Sequence, residues 1–128
     1  MVRNNKMIIS ILIVLIVVIF TAFGQLSMKA GMNEIGAISV QKMFNPINAF
    51  HVFTNKFVFI GVVLYASSLL IWLSVLSKVN VSVAYPLLSL GYIITALLAF
   101  AFLREELTSI RVLGVVIVIF GCFLITRV

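Results

Sequence analysis

Four apolar runs, at about 7–30, 57–76, 81–103 and 110–126, take up most of this chain and leave it few folds to choose from. A helix rises 1.5 Å per residue, so about 20 apolar residues cross the ~30 Å hydrocarbon layer of a bilayer. Within that layer every backbone N–H and C=O must bond inside the protein, which favours helices. Of the 128 residues only 9% are charged, whereas a soluble domain carries about 25%. The mean hydropathy of +1.33 agrees. The sequence therefore predicts an all-α membrane protein with one domain over 1–128 and four transmembrane helices. The links at 77–80 and 104–109 are short enough to force antiparallel neighbours, hence a compact up-down bundle. The basic start before the first run resembles a signal peptide, but the run is longer than an h-region and no small-residue cleavage site follows. It reads as a retained helix.

A net charge of +6 would suggest nucleic acid in a soluble chain. Here the basic residues do not cluster on a face as such a binder requires. Arg3, Lys6, Lys29, Lys42, Lys56, Lys78, Arg104, Arg111 and Arg127 stand singly near the edges of apolar runs. That is the place of anchors that snorkel to headgroups, so membrane lipids are the expected partner and nucleic acid is not. Arg3, Lys6, Lys78 and Arg127 fall on one side and Lys29, Lys42, Lys56, Arg104 and Arg111 on the other, a balance that sets no orientation. The single Cys122 lies in an apolar run and permits no intrachain disulfide.

No Gly-rich phosphate loop, His/Cys metal spacing or intramembrane carboxylate pair is present. The sequence predicts no enzyme, no cofactor and no metal. Glu34, Glu105 and Glu106 are the only acids, all near span ends. With no ATP site, any transport is downhill or driven by a gradient or the membrane potential.

The one long connection, 31–56, contains the turn signal Asn45-Pro46 and too many large apolar groups for a plain linker. Met43, Phe44, Ile47, Phe50, Val52 and Phe53 suit a short amphipathic helix in the interface, or equally a loop packed on the helix ends. His51 is read as structural or interfacial. Pro86 falls in the first turns of the third span, where a missing N–H costs little.

In lipid, polar side chains within spans face other helices or a cavity. Ser82, Tyr85, Ser89, Tyr92 and Thr95 recur every three or four residues and form one stripe on the third span. Gly61, Tyr65, Ser68 and Trp72 do the same on the second, and Thr21, Gln25 and Met28 or Lys29 on the first. These three helices are expected to line a chamber with hydroxyl, amide and aromatic groups. Ordinary interhelical bonding is the alternative for any single hydroxyl. Lys29, one turn beyond Gln25, suits a phosphate headgroup or simple snorkelling. Arg104 shares its side of the bundle, either as half of an anion site or as part of a solvated loop. The fourth span offers Gly114 and Gly121, seven apart on one face, where small residues permit a dimer seam.

Gly24-Gln25-Leu26-Ser27-Met28-Lys29, Val81 through Leu90 with its Ala84-Tyr85-Pro86 core, Glu105-Glu106-Leu107-Thr108, and Leu113-Gly114 through Phe120-Gly121 together resemble the drug/metabolite transporter superfamily in its short four-helix form. The pattern is similar to small multidrug resistance transporters, which are dimers with a chamber between their first three helices. Those carry a glutamate where this chain has Thr21. The Gly-Gln-Leu-x-x-Lys and Ala-Tyr-Pro motifs look instead like the aminoarabinose–phosphoundecaprenol flippase subunits.

The resemblance implies a flippase of a lipid-linked sugar, or of another amphipathic small molecule, in the inner membrane of a prokaryote, with both termini cytoplasmic. It implies a homodimer or a heterodimer with a similar small subunit, joined at Gly114 and Gly121. Substrate-binding residues would be Thr21, Gln25, Lys29, Tyr65, Trp72, Tyr85, Ser89, Tyr92 and Arg104. Two alternatives stay open. One is an exporter of cationic compounds with Glu34 or Glu105 as proton carrier. The other is a non-transporting subunit of a heteromeric flippase.

Overall fold

The computed structural model describes residues 2–126, with side chains over 8–125, and these residues contain only helices and their connections. Arg127 and the side chains of Arg3 and Lys6, part of the charge balance above, lie outside the described set.

Helix α1 runs Val2–Ile35. It continues past the Ala30 expected from hydropathy, because Gly31 is a contact residue and does not break the helix. A Cβ there would stand 2.6 Å from both Asn55 Oδ1 and Val58 Cγ2. The helix ends at Gly36, whose φ of +92° is open to glycine at little steric cost. The expected loop is thus largely helical. It holds α2 at Val40–Met43 and α3 at Pro46–Thr54. Asn45 caps α3 by accepting from Ile47 N–H at 3.0 Å, and Pro46 takes the first helical position, where no donor is lost. Val52 is the buried residue of α3, while Phe44, Ile47 and Phe50 are exposed.

Asn55 then caps α4, Lys56–Leu76, accepting from Phe57 and Val58 N–H, while its own amide donates to Glu34 at 2.9 Å. The end of α1 is so tied to the start of α4. Helices α5, Val81–Leu88, and α6, Leu90–Leu103, make up the third apolar segment. Pro86 sits inside α5, and the expected continuous span tightens just after it. Ser89 N–H bonds Pro86 O and Tyr92 N–H bonds Ser89 O, both three residues back. The Ser89 hydroxyl also takes Pro86 O, competing with the helical ladder. Helix α7, Ser109–Thr126, follows a non-helical link.

Three segments are long and apolar enough to cross a membrane: Ile8–Ile35, Lys56–Leu76 and Val81–Leu103; the apolar helix over Ser109–Ile125 is shorter. The chain is a multi-pass helical membrane protein. Its core is small, comprising Val14, Val17, Val18, Trp72, Val75 and Ala84. Its outward faces are Leu, Ile and Phe, with Leu70 71% and Phe102 68% exposed. In water that surface would be untenable, but lipid tails are as apolar as the side chains.

Helix α1 packs chiefly on α4 and next on α6. The α1–α4 contact is close because glycine meets glycine. A Cβ on Gly61 would come 2.6 Å from Gly24 O and 2.8 Å from Met28 N. Helices α4 and α6 scarcely touch each other, so they form the two sides of a cleft with α1 as its floor. Helix α7 leans on α5 more than on α6.

Candidate functional site

The cleft has a volume of about 330 Å³. From α1 it is lined by Thr21 and Gln25, with Val17, Val18 and Ala22 beneath them. From α4 come Tyr65, Ser68 and Trp72, one turn apart or nearly so. From α5 and α6 come Tyr85, Tyr92 and Thr95, with Leu88 and Gly91 between. Part of each of the three polar stripes therefore meets at one place, while Ser82, Ser89, Gly61, Met28 and Lys29 do not line it.

Trp72 and Tyr85 close one end in an edge-to-face contact, ring centroids 5.8 Å apart at 75°. On the floor, the Thr21 hydroxyl donates to Ser68 Oγ at 3.1 Å, and Ser68 donates to Tyr65 O at 2.6 Å. This chain spans α1 and α4 and satisfies a buried hydroxyl that would otherwise be costly. Thr21 thus serves as interhelical bonding as well as wall. The cleft is open on one flank, with Tyr65 44%, Tyr85 60% and Tyr92 67% exposed.

Six of the residues singled out from sequence line this cleft: Thr21, Gln25, Tyr65, Trp72, Tyr85 and Tyr92. Lys29 is exposed one turn further along α1, outside the walls. Arg104 is exposed at the end of α6, in a left-handed conformation with φ of 54°. Ser89 turns away from the cleft and contacts Cys122 Sγ of α7 as well as Pro86 O. The helix tightens at Ser89, which moves it off the phase of Tyr85 and Tyr92. Ser68 and Thr95 belong to the same polar stripes and line the cleft, although they were not singled out as binding residues. Their signal was the spacing itself.

A second cavity of about 540 Å³ runs between α6 and α7. Gly114 is on its wall, with Glu105, Glu106 and Arg111 at one end. Arg111 donates to the Glu106 carbonyl at 3.0 Å. Around Gly114 and Gly121 there is space: a Cβ on either would meet nothing within 4 Å. Among the described residues, no carboxylate lines the cleft and no three His, Cys, Asp or Glu side chains gather to hold a metal.

Membrane-length helices thus surround a cleft that is open on one flank and lined by hydroxyl, amide and aromatic groups. The EamA-like transporter family model matches residues 40–127, and the chain belongs to that family, whose members are transporters and not enzymes. It is 32% identical over 117 residues to the probable 4-amino-4-deoxy-L-arabinose-phosphoundecaprenol flippase subunit ArnE of Yersinia pseudotuberculosis, covering 91% of this chain and 96% of that one. The corresponding subunit ArnE of Pseudomonas fluorescens is 29% identical over 118 residues, covering 92% and 97%. Subunit ArnF of Proteus mirabilis is 28% identical over 107 residues, 80% of each chain. No solved structure matches.

Proposed function

We propose that this chain is a subunit of a flippase that carries a lipid-linked sugar across the cytoplasmic membrane, with Ser109–Thr126 as a fourth span completing a small multidrug resistance-like bundle. The observation that carries this reading is the cleft wall: an amide and several hydroxyls interleaved with aromatic rings, with no carboxylate. Hydroxyls and Gln25 suit sugar hydroxyls, and Tyr65, Trp72, Tyr85 and Tyr92 offer faces for a sugar ring. Proton-coupled export of cations would instead call for an ionisable acid in the chamber. Lys29 and Arg104, outside the walls, take the phosphate as the headgroup enters, and Ser89 holds the third span's bend. The names of the relatives supply the substrate class, aminoarabinose on undecaprenyl phosphate. Their designation as subunits suits a dimer with a second copy or a similar small chain. Both termini lie in the cytoplasm.

The test is binding of the purified protein to an undecaprenyl phosphate sugar against a panel of cationic dyes. Gln25→Ala and Lys29→Ala should each weaken the lipid by about tenfold, the value of one hydrogen bond to a charged or buried partner. Dye binding with proton release, and indifference to the lipid, would replace this reading with the exporter.

A further inference from the structure

The cleft and the α6–α7 groove share two wall residues, Tyr92 and Thr95. The two spaces therefore adjoin across these side chains and differ in character. The cleft carries the polar groups described above. Beyond Tyr92 the α6 face continues as Ala96 and Ala99, facing Gly114, Val115 and Val118 of α7, and this stretch is almost wholly apolar. The groove is larger than the cleft, about 540 against 330 Å³. Its charges, Glu105, Glu106 and Arg111, stand at one end only.

We infer that cleft and groove form a single bipartite site for an amphiphile, with the polar head in the cleft and a hydrocarbon chain lying between α6 and α7. This rests on the headgroup reading above and adds the path of the tail. The occupant is a single-chain lipid such as a polyisoprenyl phosphate sugar. The groove is lined from α6 and α7 and by the link between them, and its position against the cleft wall at Tyr92 and Thr95 suits a chain attached to a polar head. A tail held there stays in an apolar setting while the head occupies the polar cleft, so neither part is placed in a hostile medium.

The experiment uses the full chain in nanodiscs of zwitterionic lipid and reads Trp72, the only tryptophan and a wall of the cleft. The probes are arabinose 1-phosphate and its geranyl and farnesyl esters. Partition into the bilayer is common to wild type and variants, so their ratio isolates the groove. Ala99→Phe should weaken the farnesyl ester by about tenfold and the geranyl ester by less, because buried methylenes are displaced, and leave arabinose 1-phosphate unchanged. The unchanged tail-free probe also reports that the variant is folded. Gly114→Leu, where a side chain meets open space, should act in the same direction. Esters that bind wild type and both variants alike, with the tail-free probe still bound, would overturn the groove and spare the headgroup reading. Silence of Trp72 to every probe in wild type would sink both. If the variants change the oligomeric state and leave the tail dependence intact, a partner helix occupies the groove and the inference fails.

Discussion

Arg104 meets two demands at once. Its backbone ends α6 in the left-handed region, φ 54°, and its side chain supplies a cation where the third span stops. The left-handed conformation costs an L-residue roughly 1–2 kcal/mol, a cost that glycine escapes. Two substitutions separate the demands. Arg104→Ala and Arg104→Gly both remove the charge, but only glycine relieves the backbone. Thermal unfolding in detergent should show Arg104→Gly melting above Arg104→Ala, by the equivalent of about 1 kcal/mol. If the guanidinium holds a phosphate, both should lose lipid binding to the same degree. Equal melting temperatures would mean that the turn relaxes at no cost. The same residue shows where sequence reading stops. Its charge and edge position were visible, but a positive φ at a non-glycine residue is set by how the α6–α7 link must turn, and nothing local announces it.

At the scale of elements, the contact between α1 and α4 is the most extensive. It depends on glycines that the sequence showed but did not rank. The polar stripes of Tyr65, Ser68 and Trp72, and of Tyr85, Tyr92 and Thr95, could be read directly, because helical phase is a local property. Which glycine permits close approach is a property of the helix pair. The seven-residue spacing of Gly114 and Gly121 is legible in the sequence, whereas the packing of Gly24 and Gly31, also seven apart, against α4 is not. The bend at Ser89 is hidden for a related reason. Pro86 near a helix start does not by itself announce a bend, and the Ser89 hydroxyl joins its own N–H on the Pro86 carbonyl only in the folded helix. Gly61→Leu places a side chain against Gly24 O and Met28 N, backbone that cannot move aside without separating the helices. Overpacking of this kind costs about 1–3 kcal/mol or more. The variant should melt lower in detergent and show altered Trp72 emission, since Trp72 sits further along the same helix. An unchanged melt would mean that α1 and α4 pack less closely than described.

For the molecule as a whole, association is decided by fit, because apolar surface gains nothing by leaving lipid for another apolar surface. Most of α7 is exposed, including Ile117 and Leu124, which share a helical face with Gly121. A side chain at Gly121 meets nothing within 4 Å inside the single chain. Gly121→Leu is therefore expected to cost little within one subunit and to intrude where a second helix crosses. If the dimer seam runs through this face, cross-linking between subunits should fall sharply in Gly121→Leu, while melting and Trp72 emission stay at wild-type values. Gly61→Leu should give the reverse order of damage, with its fold lost first and assembly lost as a consequence. Cross-linking that persists in Gly121→Leu would move the seam elsewhere, and the open flank of the cleft beside Tyr85 and Tyr92 is the next face to probe. Subunits joined there would share one chamber, so a cross-link at that flank would also block entry of the headgroup.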